Sequence, residues 1–234
     1  MAGQISIIVP VLNEQAGMAA TLDALASAGS AGVEIIVADG GSSDSTVSEA
    51  LPRCDLVVTA PRGRASQMNA GAAAATGEIL LFLHADTRLP EHWSAAVRTG
   101  LADRRHGWGR FDVRIEGKSP MLRIVGAMMN LRSRLTGIAT GDQAIFMRRA
   151  AFDKAGGFPD IPLMEDIAMS KRLKRESPPL CLRQRVVTSG RRWEKNGVWR
   201  TIFAMWRLRF SYWLGADPAE LARQYGYRPR EDKA

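Results

Sequence analysis

The sequence predicts a single α/β domain, a mainly parallel central sheet flanked by helices, with a C-terminal amphipathic helical extension. Strand-length apolar runs alternate with helical spacing along the first hundred residues, and each run is apolar throughout before ending abruptly in polar residues. Continuously apolar strands belong to a sheet covered on both faces, and strand–helix–strand succession makes them parallel with right-handed crossovers. A chain of 234 residues, 46% of them hydrophobic, is long enough to bury a substantial core in one domain.

QISIIVPVLNE, residues 4–14, reads as a strand running into a loop, and residues 17–28 follow with Met18, Leu22 and Leu25 at helical spacing. VEIIVADGGSSDST is a second buried strand ending in acid, glycine and hydroxyl residues. Ser43 or Asp44 stands there to cap a helix from about Thr46. A short strand over 55–59, an alanine-rich helix over 66–75 and an apolar strand over 79–83 continue the series. In GWGRFDVRI, residues 107–115, Phe111, Val113 and Ile115 alternate with Asp112 and Arg114, the period of a half-buried strand. An apolar and basic helix is expected over 121–135. TGDQAIFMRR then sets Gly141 and Asp142 before another apolar strand, and Glu165 and Asp166 precede a helix carrying Ile167, Met169 and Leu173.

In a parallel sheet the ligand site lies beyond the carboxyl ends of the strands. The first strand delivers Pro10, Asn13 and Glu14 there; the second Asp39, Gly40, Gly41 and Ser42; the third Arg62, Gly63 and Arg64; the fourth, LLFLHADT, His84 and Asp86. Helix capping explains one such ending, whereas four on one edge point to a shared site. The glycines of DGGSSDST are adjacent, so neither the dinucleotide fingerprint GxGxxG nor a P-loop is present. An acid at the end of strand two suits a base or ribose, Arg64 a phosphate, and Asp86 a divalent cation shared with a diphosphate.

Composition narrows the classes further. Cys54 and Cys181 lack CxxC or Cys/His clustering, so neither a disulfide framework nor a structural zinc site is expected, and a reducing cytoplasm fits best. No secretory signal and no run of about 18 uncharged apolar residues is found. The formal charge of +8 is uneven: residues 1–170 hold 16 basic and 18 acidic side chains, and residues 171–234 hold 16 and 6. A near-neutral body with a basic C-terminal surface results, suited to phosphates, anionic headgroups or nucleic acid, or simply to solubility.

The segments SIIVPVLNE, VEIIVADGGSSDST, LFLHADT, GDQAIFMRRAAFDKAGGF, MEDIAMSKRL and SGRRW, in this order, resemble the inverting glycosyltransferases of family 2, which have the GT-A fold. The resemblance implies single-sugar transfer from a nucleotide-diphosphate sugar, a UDP-sugar or GDP-sugar, to an unidentified hydroxyl acceptor on a lipid or small molecule. It also implies Mn²⁺ or Mg²⁺. Carried over, Pro10 and Glu14 line the nucleoside pocket, and Asp39 hydrogen-bonds the base with Arg64 and Asn69 alongside. Asp86 matches the last acid of the DxD signature and ligates the metal. His84 stands where the first Asp is usual and supplies no second negative charge; a ribose or phosphate contact is its first reading, with direct metal ligation and a structural loop role as alternatives. Asp142 meets the donor sugar, with a plain turn as the alternative; Asp166 is the catalytic base and Glu165 orients it or contacts the acceptor, beside the simpler preference of acids for a helix N-terminus. Arg192, with Arg191, meets pyrophosphate, while Trp193 either stacks beneath a sugar or packs. Ser189 replaces the Gln of the processive QxxRW signature, which argues against repeated addition.

These assignments divide the chain into a GT-A domain over 1–195, with a nucleotide-binding half over 1–100 and an acceptor half over 101–195, and a basic aromatic extension over 196–234. The helix expected over 198–214 suits three uses: insertion of its aromatic face at an anionic membrane surface on the inner, cytoplasmic side, pairing in a homodimer, or packing on the body. Two rival functions are a nucleotidyltransferase making an activated sugar and a noncatalytic nucleotide- or nucleic-acid-binding protein. PVLNEQAG lacks the Gly-rich basic loop that the former wants, and the clustered acids would repel a nucleic acid, so none is expected as a partner.

Overall fold

The first hundred residues fold as β1 (Ile5–Val11), α1 (Gln15–Ser27), β2 (Val33–Asp39), α2 (Thr46–Ala50), β3 (Leu56–Thr59), α3 (Arg64–Ala74), β4 (Ile79–Phe82), β5 (Thr87–Arg88) and α4 (Trp93–Ala102). Then come β6 (Trp108–Glu116), α5 (Met121–Thr136), β7 (Phe146–Arg148), α6 (Arg149–Ala155), α7 (Glu165–Leu173), β8 (Leu180–Ser189), α8 (Arg191–Asn196), α9 (Val198–Trp213) and α10 (Pro218–Tyr225). The computed structural model describes residues 3–27 and 32–227. Residue 28 of the expected first helix and residues 228–234 of the expected extension lie outside the described residues.

The strands form one sheet in the order β3-β2-β1-β4-β7-β6-β8-β5. β1 lies parallel between β2 and β4, and β2 is parallel to β3, as the apolar runs predict. The second half mixes directions: β7 is antiparallel to both β4 and β6, β8 is parallel to β6, and β5 is antiparallel to β8. This reversal positions the site. An antiparallel β7 begins at the edge where β1, β2 and β4 end, so the 3₁₀ turn Gly141–Gln143 stands beside His84 and Asp86. The end of β8, with the chain that follows it, reaches the same edge.

Alternate residues of each parallel strand supply two cores. Ile5, Ile7 and Val9 of β1 join Met18 and Leu22 of α1, while Ile8 joins Met68 and Ala72 of α3 across the sheet. Gly71 permits that second contact, because a Cβ there would meet Ile8 Cγ2 at 2.5 Å. Helix α2 starts at Thr46, as the capping residues suggest, but Ser45 is the N-cap, and Asp44 accepts the Thr46 N–H at 3.0 Å in a turn before it.

β6 departs from its half-buried pattern. Residues 108–113 are all buried, Asp112 included. The reason is a buried ion network under α5: Arg110 pairs with Asp112, donates to Ser133 Oγ at 3.0 Å, and Arg134 meets the other Asp112 oxygen at 2.7 Å. A bulge between Phe111 and Asp112 sets this register. Asp112 therefore serves the interior, while Arg114 keeps the solvent face.

At the C-terminus, Leu208 of α9 and Leu221 and Ala222 of α10 bury against Leu163, Met164 and Ile167, the segment that leads into α7. No helix among the described residues is long and apolar enough to cross a membrane.

Candidate active site

Loops at the carboxyl edge are tied to one another before they hold anything else. Asn13, at φ 55°, accepts from Ser43 N at 2.8 Å, and Glu14 N donates to Thr46 Oγ1 at 2.8 Å, so the ends of β1 and β2 are stitched together. The Asp86 carbonyl accepts from Ser189 N at 3.2 Å, joining the end of β4 to the end of β8. Two contiguous clefts open along this edge. One of about 410 Å³ is lined by Asp86, Asp142, Glu165 and Asp166; the other, of about 450 Å³, by Val11, Arg62, Gly63 and Gln67. Pro10, Glu14, Arg64, Arg192 and Tyr227 line both.

The first cleft is an electrostatic mosaic. Asp166 Oδ2 accepts the Gly141 N–H at 3.0 Å and its Oδ1 the Ile167 N–H at 2.7 Å. Burial, and then the charge of neighbouring Glu165, nevertheless push Asp166 up to about 6. Glu165 is almost wholly buried and meets Arg64 NH1 at 3.1 Å. Burial works against the Arg64 charge, and Glu165 more than restores it. Met164, at φ 70° immediately before this pair, holds a left-handed conformation unusual for a side chain of its size, the kind of strain that collects at functional sites.

On the turn whose Gly141 N–H meets Asp166, Asp142 Oδ1 lies 3.3 Å from His84 Nδ1. Burial alone would raise Asp142; the His84 hydrogen bond and charge, with Arg64 and Arg192, hold it below the usual carboxylate range. A Cβ on Gly141 would collide with His84 Nε2, and that nitrogen has no partner among the described residues. The imidazole is thus wedged against the 141–142 turn. Glu14 is raised by burial first and by Asp86 second, so the two carboxylates sense each other.

The sequence profile of glycosyl transferase family 2 matches residues 6–154, more than half of the chain. The chain belongs to glycosyl transferase family 2. No curated protein matches it. Among solved structures, it is similar to mannosyltransferase PcManGT from Pyrobaculum calidifontis in complex with GDP-Man and Mn²⁺, at TM-score 0.66 and 21% identity, over 97% of this chain and 70% of that one. It is also similar to S. aureus TarS 1-349 in complex with UDP, at TM-score 0.64 and 18% identity, covering 80% of this chain and 60% of that one. TarS 1-349 in complex with UDP-GlcNAc gives the same TM-score and identity, with 58% of that chain covered. These likenesses carry the GT-A fold, and the family makes this chain a glycosyltransferase.

Within this family 2 chain, Pro10, Glu14, Arg64, His84, Asp86, Asp142, Glu165, Asp166 and Arg192 line the first cleft, together with Arg191 and Trp193. Asn69 does not. Its amide accepts from Phe158 N at 2.9 Å and donates to Phe158 O at 2.8 Å, pinning the chain after α6. Both ends of the Asn69 amide are therefore engaged by the Phe158 backbone. Asp39 is buried behind the clefts; its carboxylate accepts from Gly41 N at 3.0 Å and Ser42 N at 3.1 Å, and β1–β2 pairing sets it opposite Val11 of the second cleft.

Sequence reasoning missed Tyr225 and Tyr227. Arg64 NH2 donates to the Tyr227 hydroxyl at 2.8 Å, and the Arg192 guanidinium lies 4.5 Å from the centre of the Tyr225 ring. Tyr-Gly-Tyr stands out in the sequence, but nothing in its spacing connects it with an arginine 163 positions earlier. Arg132 was also missed. Burial lowers its pKa while the charges of Asp166 and Asp142 act against that, and its Nε and one terminal nitrogen have no partner among the described residues.

Metal fit follows from the donor set. No three His, Cys, Asp or Glu side chains cluster as a cation cage among the described residues. Asp86 and Glu14 nonetheless both line the first cleft with hard carboxylate oxygens, and the Asp86 charge contributes to raising Glu14. Mg²⁺ and similar ions are commonly held by one or two carboxylates together with substrate phosphates. The residues therefore fit an ion that arrives with a diphosphate.

Proposed function

We propose that this glycosyltransferase moves one sugar, with inversion, from a nucleotide-diphosphate sugar to a hydroxyl acceptor in a reaction dependent on Mn²⁺ or Mg²⁺. The observation that carries this reading is Asp166, a carboxylate raised to about 6 in the wall of a cleft that Asp86 and Arg64 also line. A base poised near neutrality accepts a proton from an attacking hydroxyl far better than an ordinary surface carboxylate. The GDP-Man and Mn²⁺ bound to the mannosyltransferase, and the UDP and UDP-GlcNAc bound to TarS, support a donor of this class.

In this reading the second cleft takes the nucleoside between Pro10, Val11 and Arg62, with Asp39 behind its floor. The diphosphate lies at the amino end of α3, where free backbone N–H groups and Arg64 favour an anion. Asp86, assisted by Glu14, would hold the divalent ion; when bound, that ion stabilises charge on the departing diphosphate. Arg192 adds a second cation to the phosphates. Asp142, kept ionised by His84, accepts hydrogen bonds from hydroxyls of the transferred sugar. Asp166 takes the acceptor proton as the acceptor oxygen attacks the anomeric carbon from the face opposite the nucleotide. Glu165 fixes Arg64 and keeps the Asp166 pKa high.

The test is incubation with a panel of UDP- and GDP-sugars plus Mn²⁺, with and without chelator, followed by analysis of the nucleotide released. Metal-dependent release of nucleoside diphosphate, lost in Asp166→Asn, is expected; no nucleoside diphosphate from any donor of the panel, or release unchanged by chelator and by Asp166→Asn, would overturn this reading.

A further inference from the structure

Helix α9 presents its most hydrophobic side to solvent. Trp199, Phe203, Trp206, Phe210 and Trp213, spaced four, three, four and three residues apart, fall on one narrow arc, and all are 60–71% exposed. The opposite side, Thr201 and Leu208, is the one buried on the body. At 100° per residue, Arg200 and Arg207 border the aromatic arc on one side and Arg209 on the other. The helix contains no Asp or Glu. Helix α5 repeats this construction: Ile124, Met128, Leu131 and Leu135 are exposed at the same spacing, and it too has no acidic residue.

Exposed tryptophans in a row cost free energy in water and mark a surface that meets something. A second copy of the chain is a poor occupant, because face-to-face pairing of two α9 helices would set arginine borders against arginine borders with no acid on the helix to relieve them. An anionic bilayer satisfies every element at once. Tryptophan rings favour the headgroup region, phenylalanines enter the acyl boundary, and flanking arginines meet lipid phosphates.

We infer that α9 lies flat on an anionic lipid surface, its aromatic arc inserted and its arginine borders on the headgroups. The helix also walls the catalytic cleft through Thr201, Met205 and Arg209, so docking holds that cleft against the membrane. Binding stands apart from sugar transfer, and the test reads binding alone.

The full chain is sedimented with phosphatidylcholine vesicles and with phosphatidylcholine–phosphatidylglycerol vesicles, and tryptophan emission is recorded in the same mixtures. The expected result is co-sedimentation and a blue shift with the anionic vesicles only. Binding should weaken about 10-fold or more in Arg200→Glu/Arg207→Glu and in Trp206→Ser/Phe210→Ser, whose side chains are exposed and outside the cleft. Binding to anionic vesicles that is no stronger than to neutral ones, or unchanged by both variants, overturns the inference. So does light scattering that shows a dimer dissolved by Trp206→Ser in a chain that ignores vesicles.

Discussion

Asp166 and Glu165 are adjacent carboxylates with different surroundings. Glu165 is buried against Arg64, whereas Asp166 faces the cleft and carries the consequences of its own burial and of its neighbour's charge. Because the Asp166 pKa is raised, the proposed base is protonated below about 6 and becomes competent as pH rises through that value. The rate of sugar transfer should accordingly rise with a single ionisation near pH 6 and then level off. Glu165→Gln removes the like charge and should move this limb to lower pH, though not to the ordinary aspartate value, since burial is the larger cause. A limb that stays in place would separate Glu165 from the titration. Asp166→Asn should retain donor affinity by calorimetry while turnover falls by about 10²-fold or more. Asp86→Ala should instead lose the Mn²⁺-dependent part of nucleoside diphosphate binding; unchanged titrations would remove Asp86 from the ion.

Single elements carry their own tests. In β6, Arg110 is fully buried and neutralises Asp112, so Arg110→Ala leaves a buried carboxylate with one partner fewer; a loss of about 3–5 kcal/mol is expected in denaturant unfolding. Recovery is expected if Asp112→Asn is added, because the uncompensated charge, more than the lost contact, is the source of the penalty. In α3 the close approach to β1 requires a missing side chain, and Gly71→Val should overpack the Ile8 contact at a cost of about 1–3 kcal/mol. Each change lies away from the cleft and should alter unfolding midpoints before it alters donor affinity.

At the scale of the whole molecule, the C-terminal helices complete the site. Tyr225 and Tyr227 sit on Arg192 and Arg64, and Leu208 and Leu221 cover Leu163 and Ile167 beside Glu165 and Asp166. We therefore expect a chain ended after residue 196 to expose that apolar cluster, to unfold at lower temperature and to lose turnover. A truncated chain of unchanged melting temperature and activity would show that the body over 1–195 is self-sufficient.

What the sequence determined alone is the part governed by local rules. Unbroken apolar runs such as Ile79–Phe82 dictated a sheet covered on both faces, and the polar residues terminating four strands marked one edge as the site. Tertiary structure decided matters of long-range meeting and of burial. The direction of β7 put Asp142 beside His84, and α5 buried the Asp112 of an apparently half-exposed strand. Phe158 captured the Asn69 amide, and Tyr227 reached Arg64. Spacing along the chain encodes the face a residue occupies, but the partner that satisfies a buried polar group is settled only when distant segments compete for it in the folded state.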